Sequence, residues 1–284
     1  MAMHRQTDSR ALSRDNFLFA CELMQREAAI VIGEGKEYLV ETRLGPLAER
    51  NSYPSVNAFL DYLRFSGPNM MPMHREVIDA LTINETLFFR DFHPFEALRS
   101  TVIPSFLAAR PDGRLRIWSA ACSTGQETYS LAILFEEHFP DIAANVQIIG
   151  TDLCTTVLRR ARTGLFQQLE VNRGLPAHFL VKFFAQQEDG WQIREQIRRR
   201  VEFRELNLAK SWPSIGSFDL ILIRNVMIYF DLPTRKKILD QARALLAPGG
   251  LLLLGGAETP FMVAEGYAAV SVGRTTFYKS ISYV

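Results

Sequence analysis

The sequence predicts an α/β protein in which a doubly wound, mostly parallel sheet follows an all-helical N-terminal domain. Apolar residues recur at helical spacing from residue 11 to about residue 80, whereas strands and helices alternate from residue 115 onward. Residues 218–223, Phe-Asp-Leu-Ile-Leu-Ile, form an almost unbroken apolar run, as expected for a strand buried on both faces. Strands that alternate with helices favour a parallel sheet with right-handed crossovers. We therefore predict a helical domain over residues 1–80 and an α/β domain over residues 81–284.

The N-terminal segment contains three predicted helices. The first begins after Ser13, a residue type that is favoured as an N-cap. The second covers residues 38–47, and Pro46 is expected to end or kink it. The third begins at Ser55, and the stretch 66–72, which contains one glycine and two prolines, predicts a loop.

The α/β segment divides into elements by its periodicity. Predicted strands lie at 115–120, 146–151, 218–223, 251–254 and 275–278, and predicted helices lie at 126–138, 157–162 and 233–246, with a turn at 248–250. Polar residues interrupt this alternation between Gly164 and Val201. We predict a small inserted β-subdomain at about residues 165–203, with a hairpin that turns near Asp189-Gly190.

The composition excludes several classes of protein. Hydrophobic residues make up 48% of the chain and charged residues 22%, which is ordinary for a globular protein. A formal net charge of +1 provides no bulk attraction to nucleic acid or to an anionic membrane. The three cysteines are scattered and fit neither a disulfide framework nor a metal site, and the first ten residues lack the apolar centre of a secretion signal. We expect a cytoplasmic protein without a metal, a nucleic-acid partner or a membrane-inserted segment.

Candidate binding residues follow the first two predicted strands. The loop 121–125, Ala-Cys-Ser-Thr-Gly, has small residues that let backbone approach a ligand, although small residues also serve tight packing. Asp152 ends the second strand, where a carboxylate can bind a ribose or cap the next helix. Glu127 lies in the first helical turn after the loop, where it can contact a ligand or simply stabilise the positive end of the helix. The glycine triplet of a dinucleotide-binding loop is missing, which disfavours a dehydrogenase.

Two further segments place polar residues among apolar ones. Arg224 and Asn225 follow the central strand, where a parallel sheet presents reacting groups. Residues 82–91, Thr-Ile-Asn-Glu-Thr-Leu-Phe-Phe-Arg-Asp, join the helical segment to the sheet. This joining segment can also be read as a helix that buries Leu87 and Phe88 and leaves Arg90 as an exposed charge.

These segments together resemble a known family. The pieces T-x-N-x-T-x-F-F-R at 82–90, S-T-G-x-E at 123–127, T-D at 151–152, N-L at 207–208 and R-N-V-M-I-Y-F at 224–230 look like the chemotaxis receptor methyltransferases, CheR. The resemblance covers nearly the whole chain. It implies a Rossmann-like class I methyltransferase that transfers a methyl group from S-adenosylmethionine to glutamate carboxylates of methyl-accepting chemoreceptor cytoplasmic domains, with S-adenosylhomocysteine as product.

The resemblance also implies roles for individual residues. The cofactor contacts carry over to Asn84, Thr86, Arg90, Glu127, Asp152, Asn207, Leu208, Asn225 and Val226. Asp152 would bind the ribose hydroxyls, and Glu127 would bind the methionine ammonium. Thr86, Arg90 and Tyr229 would lie near the sulfonium and the incoming carboxylate, so that Arg90 and Tyr229 are the catalytic candidates.

The chain departs from the family pattern in two places. Some relatives carry a strongly basic N-terminal helix that meets an acidic receptor, whereas residues 1–75 here are balanced in charge, so that electrostatic steering should be weak. Some relatives also capture a receptor C-terminal pentapeptide by strand addition. The connection 184–191 is short and lacks their longer glycine-containing loop. We therefore expect an enzyme that works without this tether. We also expect a monomer, although no motif of the sequence indicates the oligomeric state.

Two alternatives stay open from the sequence. One is an enzyme of the same class with a non-receptor acceptor. The other is a regulatory or scaffold module that binds S-adenosylmethionine without catalysis. A scaffold would be expected to lose the elements at 84–90 and 224–229, and both are present.

Overall fold

The computed structural model describes residues 11–66, 71–110 and 112–281. The chain divides into two compact units, residues 1–83 and 84–284. The first ten residues, on which the expectation of no secretion signal depends, lie outside the described residues, as do positions 67–70 of the predicted loop. Within the described ranges, no helix has the length and apolar character needed to cross a membrane.

The N-terminal unit is helical, as predicted. Its described helices are α1 (Arg14–Ala28), α2 (Glu37–Arg50), α3 (Val56–Phe65) and α4 (Met71–Leu81). The Ser13 and Ser55 side chains cap α1 and α3, since they accept hydrogen bonds from the N–H groups of Asn16 and Ala58. The helix α4, whose second residue is Pro72, was not predicted, because prolines near position 70 are typical of a loop although proline is tolerated in a first helical turn.

Pro46 lies inside α2, so the prediction that it ends the helix is wrong. The helix is held on both sides of the proline by buried Val40, Leu44 and Leu47. Proline in a helix interior costs about 3 kcal/mol, whereas each fully buried aliphatic side chain contributes about 1.5–3 kcal/mol. Packing of the apolar face therefore outweighs the local propensity.

The C-terminal unit contains a seven-stranded sheet in the order β6-β2-β1-β7-β8-β10-β9. Its strands are β1 (Leu115–Ala120), β2 (Val146–Asp152), β6 (Val201–Glu205), β7 (Phe218–Ile223), β8 (Leu246–Leu254), β9 (Tyr267–Val272) and β10 (Thr275–Ser280). The first five of these strands are parallel to one another, and β10 is antiparallel to β8 and β9. The predicted mostly parallel, doubly wound sheet is confirmed, because the chain winds outward from β1 through β2 and β6 on one side and through β7 and β8 on the other.

Helices flank these strands in the sequence. They are α5 (His93–Ala97), a π-helical turn (Leu98–Val102), α6 (Ile103–Ala109), α7 (Gln126–His138), α8 (Thr155–Thr163) and α12 (Leu232–Leu245). The sequence analysis predicted α7 at its observed bounds and α8 and α12 within a few residues. It missed the helical stretch 93–109, which carries two prolines at helix starts.

The inserted segment forms a separate three-stranded sheet in the order β3-β5-β4. Its elements are β3 (Leu165–Phe166), α9 (Gln168–Val171), α10 (Ala177–Phe183), β4 (Phe184–Gln187), β5 (Gly190–Ile193) and α11 (Glu195–Arg198). The predicted hairpin is present, since Gln187 pairs with Gly190 across a two-residue turn. The expected range of 165–203 extends too far at its end, because it includes the start of β6 at Val201. That strand pairs in parallel with β2 in the main sheet.

The turn predicted at 248–250 lies within β8, which begins at Leu246. The pairing of β8 with β7 shifts register between Phe218 and Leu220, so the turn residues form an irregularity in the strand rather than its start. A side chain at Gly250 would approach the Phe218 carbonyl oxygen to 2.8 Å, which explains why glycine occupies this position.

Candidate functional site

Five loops meet at the carboxyl edge of the parallel strands. They follow β1 (121–125), β2 (153–154), β6 (206–208), β7 (224–230) and β8 (255–258). The strand order reverses between β1 and β7, because the chain continues from β1 to β2 on one side and returns to β7 on the other. Ligands of open parallel sheets bind in the crevice at such a switch point.

The loop after β1 has left-handed backbone at alternating positions. The φ angles of Ala121, Ser123 and Gly125 are 53°, 52° and 91°. A side chain at Gly125 would lie 2.9 Å from Cζ of Phe203 on β6. Close packing by itself therefore requires glycine at this position, and the small residues of the loop are not by themselves evidence for a ligand.

Asp152 joins the loops after β1 and β2. Its Oδ2 accepts the N–H of Ser123 at 2.8 Å, and its Oδ1 accepts the N–H of Cys154 at 2.9 Å. The N-cap position of α8 is Cys154, so the interpretation of Asp152 as that N-cap is wrong. Each carboxylate oxygen can accept more than one hydrogen bond, so these two bonds do not exhaust the acceptor capacity of the buried carboxylate.

Asn207 and Leu208 lie next to Asp152. The carbonyl of Asp152 accepts the N–H of Leu206 at 3.0 Å, which places the segment after β6 against the end of β2. The Asn207 side chain accepts the N–H of Ala209 at 2.9 Å, and Leu208 is buried. The structure thus brings these three predicted cofactor residues to one side of the crevice.

Glu127, in the first turn of α7, forms a buried ion pair. Its Oε1 accepts the hydroxyl of Ser119 at 2.8 Å, and its Oε2 accepts Nη1 of Arg224 at 2.8 Å. The Arg224 side chain is 2% exposed and that of Glu127 is 12% exposed. A role limited to the helix dipole does not account for this arrangement, because the carboxylate faces specific partners on β1 and β7.

Arg224 connects α7 to residues 84–92. Its Nη2 donates to the Asp91 carboxylate at 2.8 Å and to the Arg90 carbonyl at 3.0 Å. From the sequence, Arg224 is only a polar residue at a strand end, and Asp91 has no predicted role. The available signal was an arginine directly after an apolar strand, since a buried guanidinium requires acidic partners.

Residues 84–92 are not the helix that one interpretation predicted. They form an irregular stretch followed by turns, with positive φ at Phe89, Asp91 and Phe92. Ser123 Oγ donates to the Asn84 carbonyl at 2.7 Å, and the Phe89 N–H donates to Ser130 Oγ at 2.9 Å. This segment is therefore fixed along the loop after β1 and along α7.

The remaining residues of this segment differ in burial. Phe88 is fully buried, with its ring 4.9 Å from that of Phe166 in the inserted segment, so its predicted core role is correct. Asn84, Thr86 and Arg90 are half-buried.

Asn225 has a buried acceptor without a protein partner. Its φ is 58°, and its N–H donates to Oε2 of Glu258 at 2.8 Å. Among the residues that the structure describes, no group donates to its side-chain Oδ1, which is buried. Val226 and Tyr229 follow in a short 3₁₀ turn and are half-buried, and the Val226 carbonyl accepts the Tyr229 N–H at 3.1 Å.

The donor and acceptor set of the crevice fits S-adenosylmethionine. The ligand has ribose hydroxyls and an ammonium to donate, and the crevice provides the Asp152 and Glu127 carboxylates as acceptors. The Oδ1 of Asn225 is a buried acceptor without a protein donor among the described residues. Leaving such an acceptor unpaired costs free energy, so a ligand that donates a hydrogen bond to it is favoured. No cluster of three or more metal-ligating side chains occurs in the described ranges.

Cys122 lies in the loop after β1 but is not suited to act as a nucleophile. Burial raises the pKa of its thiol well above the usual value, and the charges of Asp152 and Glu127 raise it further. The thiol therefore stays protonated and unreactive at neutral pH.

Comparison with known proteins agrees with this geometry. Residues 15–82 match the family model of the CheR methyltransferase all-alpha domain, and residues 84–273 match that of the CheR methyltransferase SAM binding domain. The chain is 38% identical over 262 residues to "Chemotaxis protein methyltransferase Cher2" of Pseudomonas putida and to "Chemotaxis protein methyltransferase 1" of Pseudomonas aeruginosa, in each case covering 90% of this chain and 94% of the relative. It is 36% identical over 266 residues to "Chemotaxis protein methyltransferase 1" of Vibrio cholerae, covering 91% of this chain and 94% of that protein. The resemblance read from the motifs is confirmed, and the chain belongs to the CheR family of S-adenosylmethionine-dependent methyltransferases.

Proposed function

We propose that the protein methylates glutamate side chains in the cytoplasmic domain of a methyl-accepting chemoreceptor. One observation carries the proposal: Arg224 joins Glu127, Asp91 and the Arg90 backbone at the same crevice edge that holds Asp152 and Asn225. This network supports the proposal because it links the Glu127 carboxylate, proposed to bind the cofactor, to the backbone of Arg90, whose side chain is proposed to orient the incoming carboxylate.

The proposed cofactor contacts follow the chemistry of each group. Asp152 accepts the ribose hydroxyls, Glu127 accepts the ammonium, and Asn225 accepts a further N–H through Oδ1. Asn84, Thr86, Arg90, Asn207, Leu208 and Val226 complete the proposed contacts. When bound, S-adenosylmethionine supplies an electrophilic methyl carbon, and S-adenosylhomocysteine is the product.

The acceptor does not need a general base. A glutamate side chain has a reference pKa of about 4.3, so its carboxylate is already ionised at neutral pH. The residues of this chain must instead align that carboxylate and remove water from it. Arg90 is the proposed orienting group, because its planar guanidinium can hold one carboxylate oxygen and leave the other free to attack. Tyr229, on the loop after β7, is the second proposed catalytic residue.

The N-terminal domain and the inserted β-sheet bear on how the receptor is contacted. The helical N-terminal domain is balanced in charge over residues 1–75, which favours a receptor contact that depends little on electrostatic steering. The two-residue turn between β4 and β5 favours an enzyme that works without a tethering pentapeptide. We propose in addition that the enzyme is a monomer. A cytoplasmic location follows from the proposed acceptor. A titration with receptor C-terminal peptides tests whether the enzyme works without a tether. Micromolar affinity for such a peptide would overturn that proposal.

Methyl transfer to purified receptors tests the function. The full chain is incubated with S-adenosylmethionine labelled in the methyl group and with candidate chemoreceptor cytoplasmic domains. We expect label on the receptor that is released in alkali, since carboxyl methyl esters hydrolyse there. Label that resists alkali, or none on any chemoreceptor domain together with transfer to another protein, would contradict the proposal.

A further inference from the structure

One carboxylate in the loop after β8 is bound by backbone donors of two loops. Oε2 of Glu258 accepts the N–H groups of Asn225 and Gly255, each at 2.8 Å, and Oε1 accepts the N–H of Met227 at 2.8 Å. The N–H of Glu258 in turn donates to the Gly255 carbonyl at 2.8 Å, which closes the turn. Glu258 lies outside the motifs at 82–90, 123–127, 151–152, 207–208 and 224–230.

These hydrogen bonds compensate for an unfavourable backbone. Asn225 has a φ of 58°, a conformation that costs energy for any residue with a side chain. Since β7 ends at Ile223, the N–H groups of Asn225 and Met227 have left the strand ladder, and they would be unpaired donors without another acceptor. An ionised carboxylate is the strongest acceptor that a side chain offers.

The space around this carboxylate is shaped to hold it. A Cβ at Gly255 would lie 2.6 Å from Oε2 of Glu258 and 2.8 Å from the backbone nitrogen of Asn225. A Cβ at the adjacent Gly256 would have nothing within 4 Å. Only the first glycine is therefore required by the contact between the two loops.

We propose that Glu258 is a positioning residue for cofactor binding. It holds the backbone of the loop after β7, and so aims the orphan Oδ1 of Asn225 before the cofactor arrives. This inference rests on the proposed role of Asn225 at the cofactor. Glu258 acts through Asn225 and needs no contact with the reacting atoms.

Two matched pairs of variants test the proposal in the full chain. Glu258→Gln keeps the shape but turns one acceptor oxygen into an NH₂ group that faces an N–H, and Glu265→Gln removes the same charge at an exposed position of the same connection. By calorimetry we expect the Kd for S-adenosylhomocysteine to rise about tenfold in Glu258→Gln, as for a lost charged hydrogen bond. Gly255→Ala should also weaken binding, whereas Glu265→Gln and Gly256→Ala should stay within about twofold of the wild type. Equal Kd values for Glu258→Gln and Glu265→Gln would overturn the inference.

A double-mutant cycle separates positioning from a general structural role. Asn225→Gly removes the side-chain amide and tolerates the left-handed backbone. If Glu258 acts through Asn225, adding Glu258→Gln to Asn225→Gly should change the Kd less than twofold. Full additivity would mean that Glu258 supports binding by another route, and would overturn the proposal.

A ligand-free measurement on the wild type completes the test. Hydrogen exchange should show protected N–H groups at Asn225, Gly255 and Met227, and exchange at the rate of an open loop would overturn the proposal even if Glu258→Gln fails to fold. Protection together with a wild type that binds no S-adenosylhomocysteine would instead refute the proposed function. The two failures are therefore distinguishable.

Discussion

Arg224→Met should destabilise the C-terminal unit strongly. The variant keeps most of the volume but leaves the Glu127 carboxylate, 12% exposed, and the Arg90 carbonyl without their cationic partner. Removing one partner of a buried ion pair costs about 3–5 kcal/mol. The Asp91 carboxylate is 51% exposed, so water replaces its partner and it adds little.

We therefore take the lower end of that range. For a unit of this size, about 3 kcal/mol corresponds to a fall in melting temperature of roughly 6–12 °C. Differential scanning calorimetry of the full chain measures the shift.

Arg204→Met is the matched control. Arg204 forms an exposed pair with Glu202 at 2.6 Å, and such surface pairs contribute at most about 1 kcal/mol. Its melting temperature should fall by less than about 4 °C. If the two variants melt at the same temperature, the ion pair of Arg224 is not the buried, stabilising interaction described above.

Three further changes test separate parts of the account. Arg90→Ala should lower turnover far more than it weakens S-adenosylhomocysteine binding; if kinetics and calorimetry show both falling in step, Arg90 serves cofactor binding alone and does not orient the acceptor. Asp152→Asn should chiefly weaken cofactor binding, and an unchanged Kd would limit Asp152 to joining two loops. Gly174→Ala should lower the melting temperature, because φ is +84° and a Cβ would overlap the Phe88 carbonyl oxygen; an unchanged melting temperature would contradict that close approach.

The buried strands β1 and β7 could be predicted from the sequence at their observed bounds, whereas β2 ends one residue later and β8 begins five residues earlier than predicted. β1 and β7 are mostly apolar, and α7 follows a glycine that marks its start. In contrast, β6 reads Val-Glu-Phe-Arg-Glu and lies at the edge of the sheet, with Glu202 and Glu205 exposed and Phe203 buried. Its pattern is that of any half-exposed strand, so only the tertiary structure could assign it to the main sheet. The same holds for β9 at the other edge.

The site was predictable as a set of positions but not as a set of contacts. Strand ends identify Asp152 and Asn225, because parallel strands place their carboxyl ends together. The partners of Arg224 lie 97 and 133 residues away in the chain, and the Glu258 contact spans 33 residues. No local periodicity reports such pairs, since they depend on which strands become neighbours.

A crystal structure of the full chain with S-adenosylhomocysteine tests the central claim most directly. We predict the nucleoside beyond the carboxyl ends of β1, β2 and β7, with its ribose hydroxyls on Asp152 and an N–H donated to Oδ1 of Asn225. A nucleoside bound elsewhere, with Asn84, Arg90 and Asn225 facing solvent, would contradict the account.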